Sequence, residues 1–507
     1  MKKIIYIITG LALMLGLGLS SCTKNFQEIN TDPNEAPRAT AAQLMAPTLV
    51  NIMSLNQLRN RNFNNELMQV TVDFTDAEGK VFRYDFRSNW ADYLYNGWYT
   101  ELTNLKEIHK IASDTPTLSN SYQGISLILQ SWVYSMLTDT YGDVPYFRSN
   151  MARDSGITEP PFDAQKDIYL DIFQKLEKAN SLLTSPPGIV ANGDPVFSGD
   201  LAKWRKFGNS LYLRLLLRLS GKAEVSQQCI DKIKEILVTK ASTYPVIANN
   251  DETAVLKWTG QGPYSSPLMG VREQDFRAPG IASFFIDNLS SWNDPRIDIP
   301  TWGNNSFNRW RIAPYQGAYT GIPSGYAPGT APVKKSYFYS TSSDYTLMTE
   351  PLTGIMMNWA EMQFIYAEAS AKGWITTSTT TEAYYKKGVW ASINFWLPKW
   401  AETEVTKYLE DADMQWDDAA SLEDKMERIH VQKYYALFLV DMQQWFEYRR
   451  TGHPVLPKGA GLRNNGVMPA RMTYPVYVQS TNPTNYRAAV AAQGPDQIST
   501  LVWWQRP

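Results

Sequence analysis

The sequence predicts an all-α fold, and three observations carry that expectation. Several long segments repeat apolar residues at helical spacing, and these segments fall in neighbouring pairs of similar length. The stretches between them concentrate Gly, Pro, Ser and Asn. In chain order, Trp90 to Ile111 is helical by a weaker pattern. SYQGISLILQSWVYSMLTDTYG then carries Ile125, Leu129, Trp132, Val133 and Met136 on one stripe and stops near Gly142. DAQKDIYLDIFQKLEKANSLL places Ile168, Ile172, Leu176 and Ala179 together, with Asp163 positioned to cap its start. GDLAKWRKFGNSLYLRLLLRLSG presents Trp204, Phe207, Leu211 and Leu215 and ends at Gly221. LTGIMMNWAEMQFIYAEASAKG aligns Ile355, Trp359, Met362, Ile365 and Ala369 and ends at Gly373, and Glu382 to Leu397 follows with weaker patterning. The last long helix is expected from Ser421, which stands in capping-box spacing with Asp424, to Gly452.

Segments 90–111 with 121–140, 164–183 with 201–219, and 355–372 with 382–397 form pairs of roughly tetratricopeptide length. Stacked pairs build a superhelical scaffold that tolerates long insertions on one side. The largest insertion spans about 245–352 and holds Trp258, Tyr264, Trp292, Trp302, Trp310, Tyr315, Tyr319 and Tyr326. A loop of that length in a compact protein is usually functional. A second irregular aromatic stretch, Val72 to Trp90, contains Phe74, Phe82, Tyr84 and Phe86, and the tail 453–507 is also irregular.

The start of the chain has a different character. Lys2 and Lys3 precede an apolar-to-small run from Ile4 to Leu19, which ends in Ser20-Ser21-Cys22. Residues 1–21 read as a secretory signal peptide, too short and too soon followed by polar sequence for a membrane span. Small residues before Cys22 resemble a bacterial lipobox, which implies cleavage there and acylation of Cys22. Residues 22–507 then read as a single domain. With Lys2 and Lys3 gone, 46 bases face 50 acids, a net charge of about −4. No basic field exists for a polyphosphate backbone, so nucleic acid is not an expected partner. Cys229 is the only cysteine after Cys22 and sits at helical spacing with Ile233 and Ile236, as a small core residue would.

Catalytic patterns are missing. His109, His430 and His453 form no metal-ligand spacing, no Ser sits in GxSxG, and no glycine-rich phosphate loop occurs. Neither a cofactor nor a catalytic transition metal is expected. Glu361 and Glu368 lie one heptad apart on a helix and suit buried ion pairs, with Arg214 or Arg449, better than a hydrolase acid pair. Asp139 and Asp143 in TDTYGDVPY suit local hydrogen bonding at a helix end. The chain reads as a binder rather than an enzyme.

Several motifs, in order, resemble one family. They are NFQEINTDPN (Asn25 to Asn34), TDTYGDVPY (Thr138 to Tyr146), FDAQKDIY (Phe162 to Tyr169) and GDLAKWRKFGNSLYLRL (Gly199 to Leu215). NDPRI (Asn293 to Ile297), WAEMQFIYAEASAKG (Trp359 to Gly373) and QKYYALF…WFEYRRTGHP (Gln432 to Pro454) follow, then RMTYP and VWW near the end. Together they resemble the SusD/RagB-like nutrient-binding outer-membrane lipoproteins of Bacteroidetes across nearly the whole chain. The resemblance implies tetratricopeptide-like helix pairs with a loop-rich ligand face. It implies a lipid-anchored protein on the outside of the outer membrane, working with a SusC-like TonB-dependent transporter. Its implied cargo is an oligomeric nutrient: glycan first, peptide as the alternative. Surface-exported members often carry acids after the lipid cysteine, where this chain reads Thr23-Lys24-Asn25.

Of 17 Trp, 29 Tyr and 19 Phe, those in the helix-poor stretches are the candidates for stacking on sugar rings, with amides and guanidinium groups bonding hydroxyls. Trp302, Trp310 and Tyr315 are expected to stack, joined by Phe82, Tyr84 and Trp90. Asn304, Asn305 and Arg309 are expected to bond hydroxyls. Helix-borne Trp132, Trp204, Trp359 and Trp445 are expected to pack.

Overall fold

Helix α3 (Ser119–Tyr141) explains the architecture, because every residue from Gly124 to Tyr141 is buried. A helix buried on all sides needs neighbours on all sides. It receives α2 (Trp90–Asp114), α4 (Gln165–Leu182) and α5 (Leu201–Leu219), while α1 (Ala41–Arg59) covers α2. On the far side of α5, α8 (Trp359–Ala371) packs on α9 (Thr381–Trp396), and both meet α10 (Leu422–Ala436). The three expected helix pairs are therefore packed pairs. The computed structural model describes residues 39–75, 77–115, 118–342 and 345–506, and from Ala41 onward the chain forms one compact unit. The leader, Cys22 and the motif at 25–34 lie outside the described residues.

Capping chemistry sets several boundaries. Asp200 accepts from Lys203 N (3.1 Å), Asn358 from Glu361 N (2.9 Å) and Ser421 from Asp424 N (3.1 Å). Gly142 ends α3 at φ +83, and a Cβ there would meet the Gln493 amide oxygen at 1.7 Å. Helix α4 is capped differently from expectation. Asp163 accepts from Tyr146 N (2.8 Å) and Phe147 N (2.9 Å), whereas the Gln165 N–H donates to Asp143 (2.9 Å).

Other departures have physical causes. The single helix expected over 421–452 is two, α10 and α11 (Gln443–Thr451). Between them Leu439 and Asp441 take positive φ, and the buried Asp441 carboxylate accepts from Met442 N and Gln443 Nε2. Local side-chain bonds there replace helical ones. Helix α1, which contains Pro47, is not evident from the pattern because Thr48, Asn56 and Gln57 interrupt its apolar stripe. The Asn56 amide is turned inward and accepts from Trp98 Nε1 (2.9 Å).

The insertion is ordered by three short antiparallel pairings. Strand β1 (Thr71–Val72) pairs with β3 (Gly280–Ile281), β2 (Ala254–Leu256) with β6 (Gly354–Met357), and β4 (Ile312–Ala313) with β5 (Tyr337–Phe338). Helix α7 (Ser283–Ser291) buries Phe285, Ile286 and Leu289 between these pairings. Among the described residues no helix is long and apolar enough to cross a membrane.

Candidate functional site

The sequence motifs converge on the scaffold. Asp139 pairs with Arg218 (2.6 Å) and accepts from Tyr169 OH (2.6 Å) and Trp504 Nε1 (2.8 Å), and its carbonyl accepts from Arg449 (2.7 Å). One buried aspartate thus ties α3, α4, α5 and Trp504 together through its carboxylate and α11 through its carbonyl. Asp294 of NDPRI binds Arg296 (2.6 Å) and Tyr408 OH (2.9 Å), and Glu361 takes the Arg214 fork through both oxygens (2.6 Å each). Glu368 pairs with Arg450 (2.7 Å), not Arg449, and with Lys372 (2.6 Å). Glu368, His430 and Glu447 offer atoms within 4.8 Å of one another, spacing that a metal could use. Arg450 bridges both carboxylates and Lys433 holds Glu447 (2.6 Å), so their charge is already matched by protein cations. Buried fully paired charges fix geometry and do not offer themselves to a ligand. Cys229 is buried as expected, and burial pushes its thiol up to about 12.

The expected aromatic platform divides. Trp310 is fully buried among Phe285, Trp396 and Phe438, with the Arg296 guanidinium 4.9 Å from its ring. Trp302 is buried edge-on to Trp400, and its Nε1 donates to Asn293 O. Phe82 lies against Tyr326 (5.0 Å) in a small cluster with Val72, Ala282 and Ile322, and Tyr84 belongs to the main core. A ring packed on both faces cannot stack on a ligand, so these four residues do not offer the stacking expected of them. Their size explains it: loops this long need large apolar side chains to pin them down. Trp90 is half-buried at the start of α2 under Arg59 (4.7 Å). Arg309 is a clamp, bonded to Trp396 O (2.9 Å), Tyr345 OH (2.7 Å) and Glu350. Asn304 and Asn305 are exposed on the turn Pro300–Asn305.

A different set of rings is open. Across β4–β5, Ile312 faces Phe338 and both are buried. Strand alternation then places Tyr337 and Tyr339 on the outer side, where both are half-exposed. The Arg311 guanidinium lies between the rings of Phe307 (4.5 Å) and Tyr345 (4.7 Å). Phe307 is 45% exposed. Tyr319 accepts from Asp298 N (3.4 Å) within electrostatic reach of Tyr339 and Arg311; burial foremost raises its pKa. Tyr337 sits 5.9 Å from Tyr339, and with Tyr315 it lines a cleft of about 390 Å³. These rings and the Arg311 guanidinium form a half-exposed belt of Phe307, Arg311, Tyr345, Tyr319, Tyr339, Tyr337 and Tyr315. Glu350 anchors one end through Arg309 and Tyr345; burial alone would raise its pKa, but Arg309 holds it below the usual carboxylate range.

Of the expected ligand residues, only Tyr315 falls in the belt. The sequence does carry a signal for the rest: Tyr337-Phe338-Tyr339 alternates open, buried, open, the period of a half-buried strand. Roomier clefts lie elsewhere. One of about 870 Å³ between α4, α5 and α6 (Ser226–Lys234) with the turn that follows it is lined by Glu177, Asp231, Lys232 and Glu235, and one of about 610 Å³ lies among Tyr95, Tyr99, Asn150 and Tyr477. In the second, Tyr95 and Tyr99 pack on each other (4.8 Å) and Tyr99 OH is spent on Pro145 O (2.6 Å). In the belt, rings and a guanidinium turn outward together over the longest run: Arg59 between the half-buried rings of Trp90 (4.7 Å) and Tyr93 (4.4 Å) is a smaller group of the same kind.

Comparison with known proteins gives the family. A SusD-like family profile described as "Starch-binding associating with outer membrane" matches residues 33–475, and the chain belongs to that family. Solved structures share the fold. A SusD homologue from Bacteroides fragilis is 24% identical with a TM-score of 0.75, covering 92% of this chain and 100% of its own. A chitin-binding SusD homologue from Flavobacterium johnsoniae is 20% identical with a TM-score of 0.76, covering 92% and 98%. A SusD homologue from Bacteroides uniformis is 23% identical with a TM-score of 0.73, covering 92% and 99%. No curated protein matches the sequence.

Proposed function

We propose that this SusD-like protein captures an oligosaccharide on the outer belt of β4 and β5 and passes it to a SusC-like TonB-dependent transporter. The observation that carries the reading is the outward run of Tyr337, Tyr339, Tyr319 and Arg311, held by a buried Ile312–Phe338 pair. Ring faces take the apolar side of a pyranose, and Arg311 and the exposed amides of Asn304 and Asn305 supply directional bonds to hydroxyls. Tyr315 extends the same surface, while Arg309 acts through Tyr345. The role is binding, with no reaction at the belt. The protein is held at the outer membrane by lipid on Cys22, facing outward, so that its loop face lids the transporter.

Calorimetric titration of the purified mature domain with malto- and chito-oligosaccharides, wild type against Tyr339→Ala, tests the ligand reading. Saturable binding weakened by the substitution supports it, and binding indifferent to the substitution contradicts it. For the anchor, Cys22→Ala is expected to leave the membrane fraction. Retention of that variant in a strain lacking the transporter would count against lipid tethering.

A further inference from the structure

The end of the belt at Tyr315 and Tyr337 has an unusual electrostatic composition. Its cleft is lined by Gln274, Arg277, Ala278, Tyr315, Lys334, Lys335 and Tyr337, so three cations and no carboxylate face it. The chain as a whole has more acids than bases, 50 against 48. The acids flanking Gln274 in the chain are engaged elsewhere: Asp275 pairs with Arg272 (2.6 Å), and Glu273 accepts from Ser340 (3.3 Å) and Thr341. Lys334 donates to Arg277 O, and its ammonium stands 4.2 Å from the Tyr337 ring centroid. Among the described residues, the side chains of Arg277 and Lys335 have no hydrogen bond or ion pair. Burial and then the Arg277 charge pull the Lys334 pKa down, a cost that a bound anion at this spot would relieve.

We infer that the saccharide taken by this belt is anionic, carrying carboxylate or sulfate groups, and that Arg277, Lys334 and Lys335 read those groups beside Tyr315 and Tyr337. The inference rests on the proposed function and names its substrate class. Rings alone accept any pyranose; a cation cleft without acids favours charged sugars and disfavours none of the geometry needed for stacking. The ammonium over Tyr337 places charge recognition directly against a stacking ring, so successive sugars could be read by face and then by charge.

The test titrates the mature domain with oligogalacturonate and chondroitin sulfate oligosaccharides, and with malto- and chito-oligosaccharides as neutral controls. At least one anionic ligand should bind about tenfold tighter than either neutral one, and raising the salt from low to physiological or above should erase most of that margin. Lys335→Glu, at a side chain without a protein partner, should remove the margin while melting stays unchanged. Lys334→Met, which keeps the apolar stem on Tyr337, should do the same in part. Neutral ligands binding as well as the anionic ones, or an anionic margin untouched by both variants and by salt, overturns the inference and leaves the glycan reading standing. If Tyr339→Ala weakens neither neutral nor anionic ligands, the belt itself is wrong and the inference falls with it.

Discussion

The insertion uses its two kinds of large aromatic ring in opposite ways. Trp258, Trp292, Trp302 and Trp310 are all buried, whereas Tyr264, Tyr315, Tyr319, Tyr337, Tyr339 and Tyr345 are half-exposed, with Tyr326, buried against Phe82, as the exception. Both groups occur in the same helix-poor stretch. Trp supplies the largest apolar area for fixing a loop to the helices, and Tyr keeps a polar end in water while offering a ring face. Aromatic density in a loop therefore does not identify a binding surface; the half-exposed subset does.

The largest effect expected from this contrast is on the buried side. Trp310→Ala should cost about 3–5 kcal/mol of stability, as removal of a fully buried ring does, read by chemical denaturation. Arg214→Leu should be comparable, about 3–5 kcal/mol, because it strands the buried Glu361 carboxylate. Any loss of ligand binding in these variants should follow the loss of folded protein.

Acid should act on the same scaffold. Burial, outweighing the neighbouring carboxylates, holds His430 at about 3 in the folded state against 6.5 ordinarily. The unfolded chain therefore binds a proton that the folded chain refuses. This contribution is complete above pH 6.5 and is lost as pH falls toward 3. Glu368 and Glu447 extend the decline. Burial alone would raise their pKa values, but Arg450 foremost drives both below the ordinary 4.5, so their stabilisation is present above that pH and lost below it. Melting temperature against pH checks this, and His430→Gln should flatten the upper part of the fall.

On the open side the effects should be smaller and confined to binding. Tyr339→Ala and Tyr319→Ala should each weaken oligosaccharide binding by about 1–3 kcal/mol with melting nearly unchanged. Asn305→Ala, at an exposed turn two residues before Phe307, should cost about 0.5–1 kcal/mol of binding, the scale of one hydrogen bond to a hydroxyl. Calorimetry on the same ligand ranks all three.

The scaffold was largely legible in the sequence because helical periodicity is a local signal. The pairs around Trp132, Trp204 and Trp359, the Gly142 stop and the Ser421 cap all follow from residues close together in the chain. The break at Leu437–Met442 was not legible, since it depends on Asp441 meeting Asn60 and Trp132 from distant segments. The site was legible only as a region. Whether Trp302 or Tyr339 faces water depends on which loop rests on Trp400 and Phe438, and spacing does not encode that. The short Tyr-Phe-Tyr alternation was the one local clue, and its three residues are easily lost in an irregular loop.

The central claim is that the half-exposed tyrosines bind and the buried tryptophans hold. The most direct measurement is paired calorimetry and melting on Tyr339→Ala and Trp310→Phe with one oligosaccharide ligand. The account predicts lost affinity at an unchanged melting temperature for the first, and a lowered melting temperature with near-normal affinity of the folded fraction for the second. Normal affinity in Tyr339→Ala, or an affinity loss in a fully folded Trp310→Phe, would contradict it.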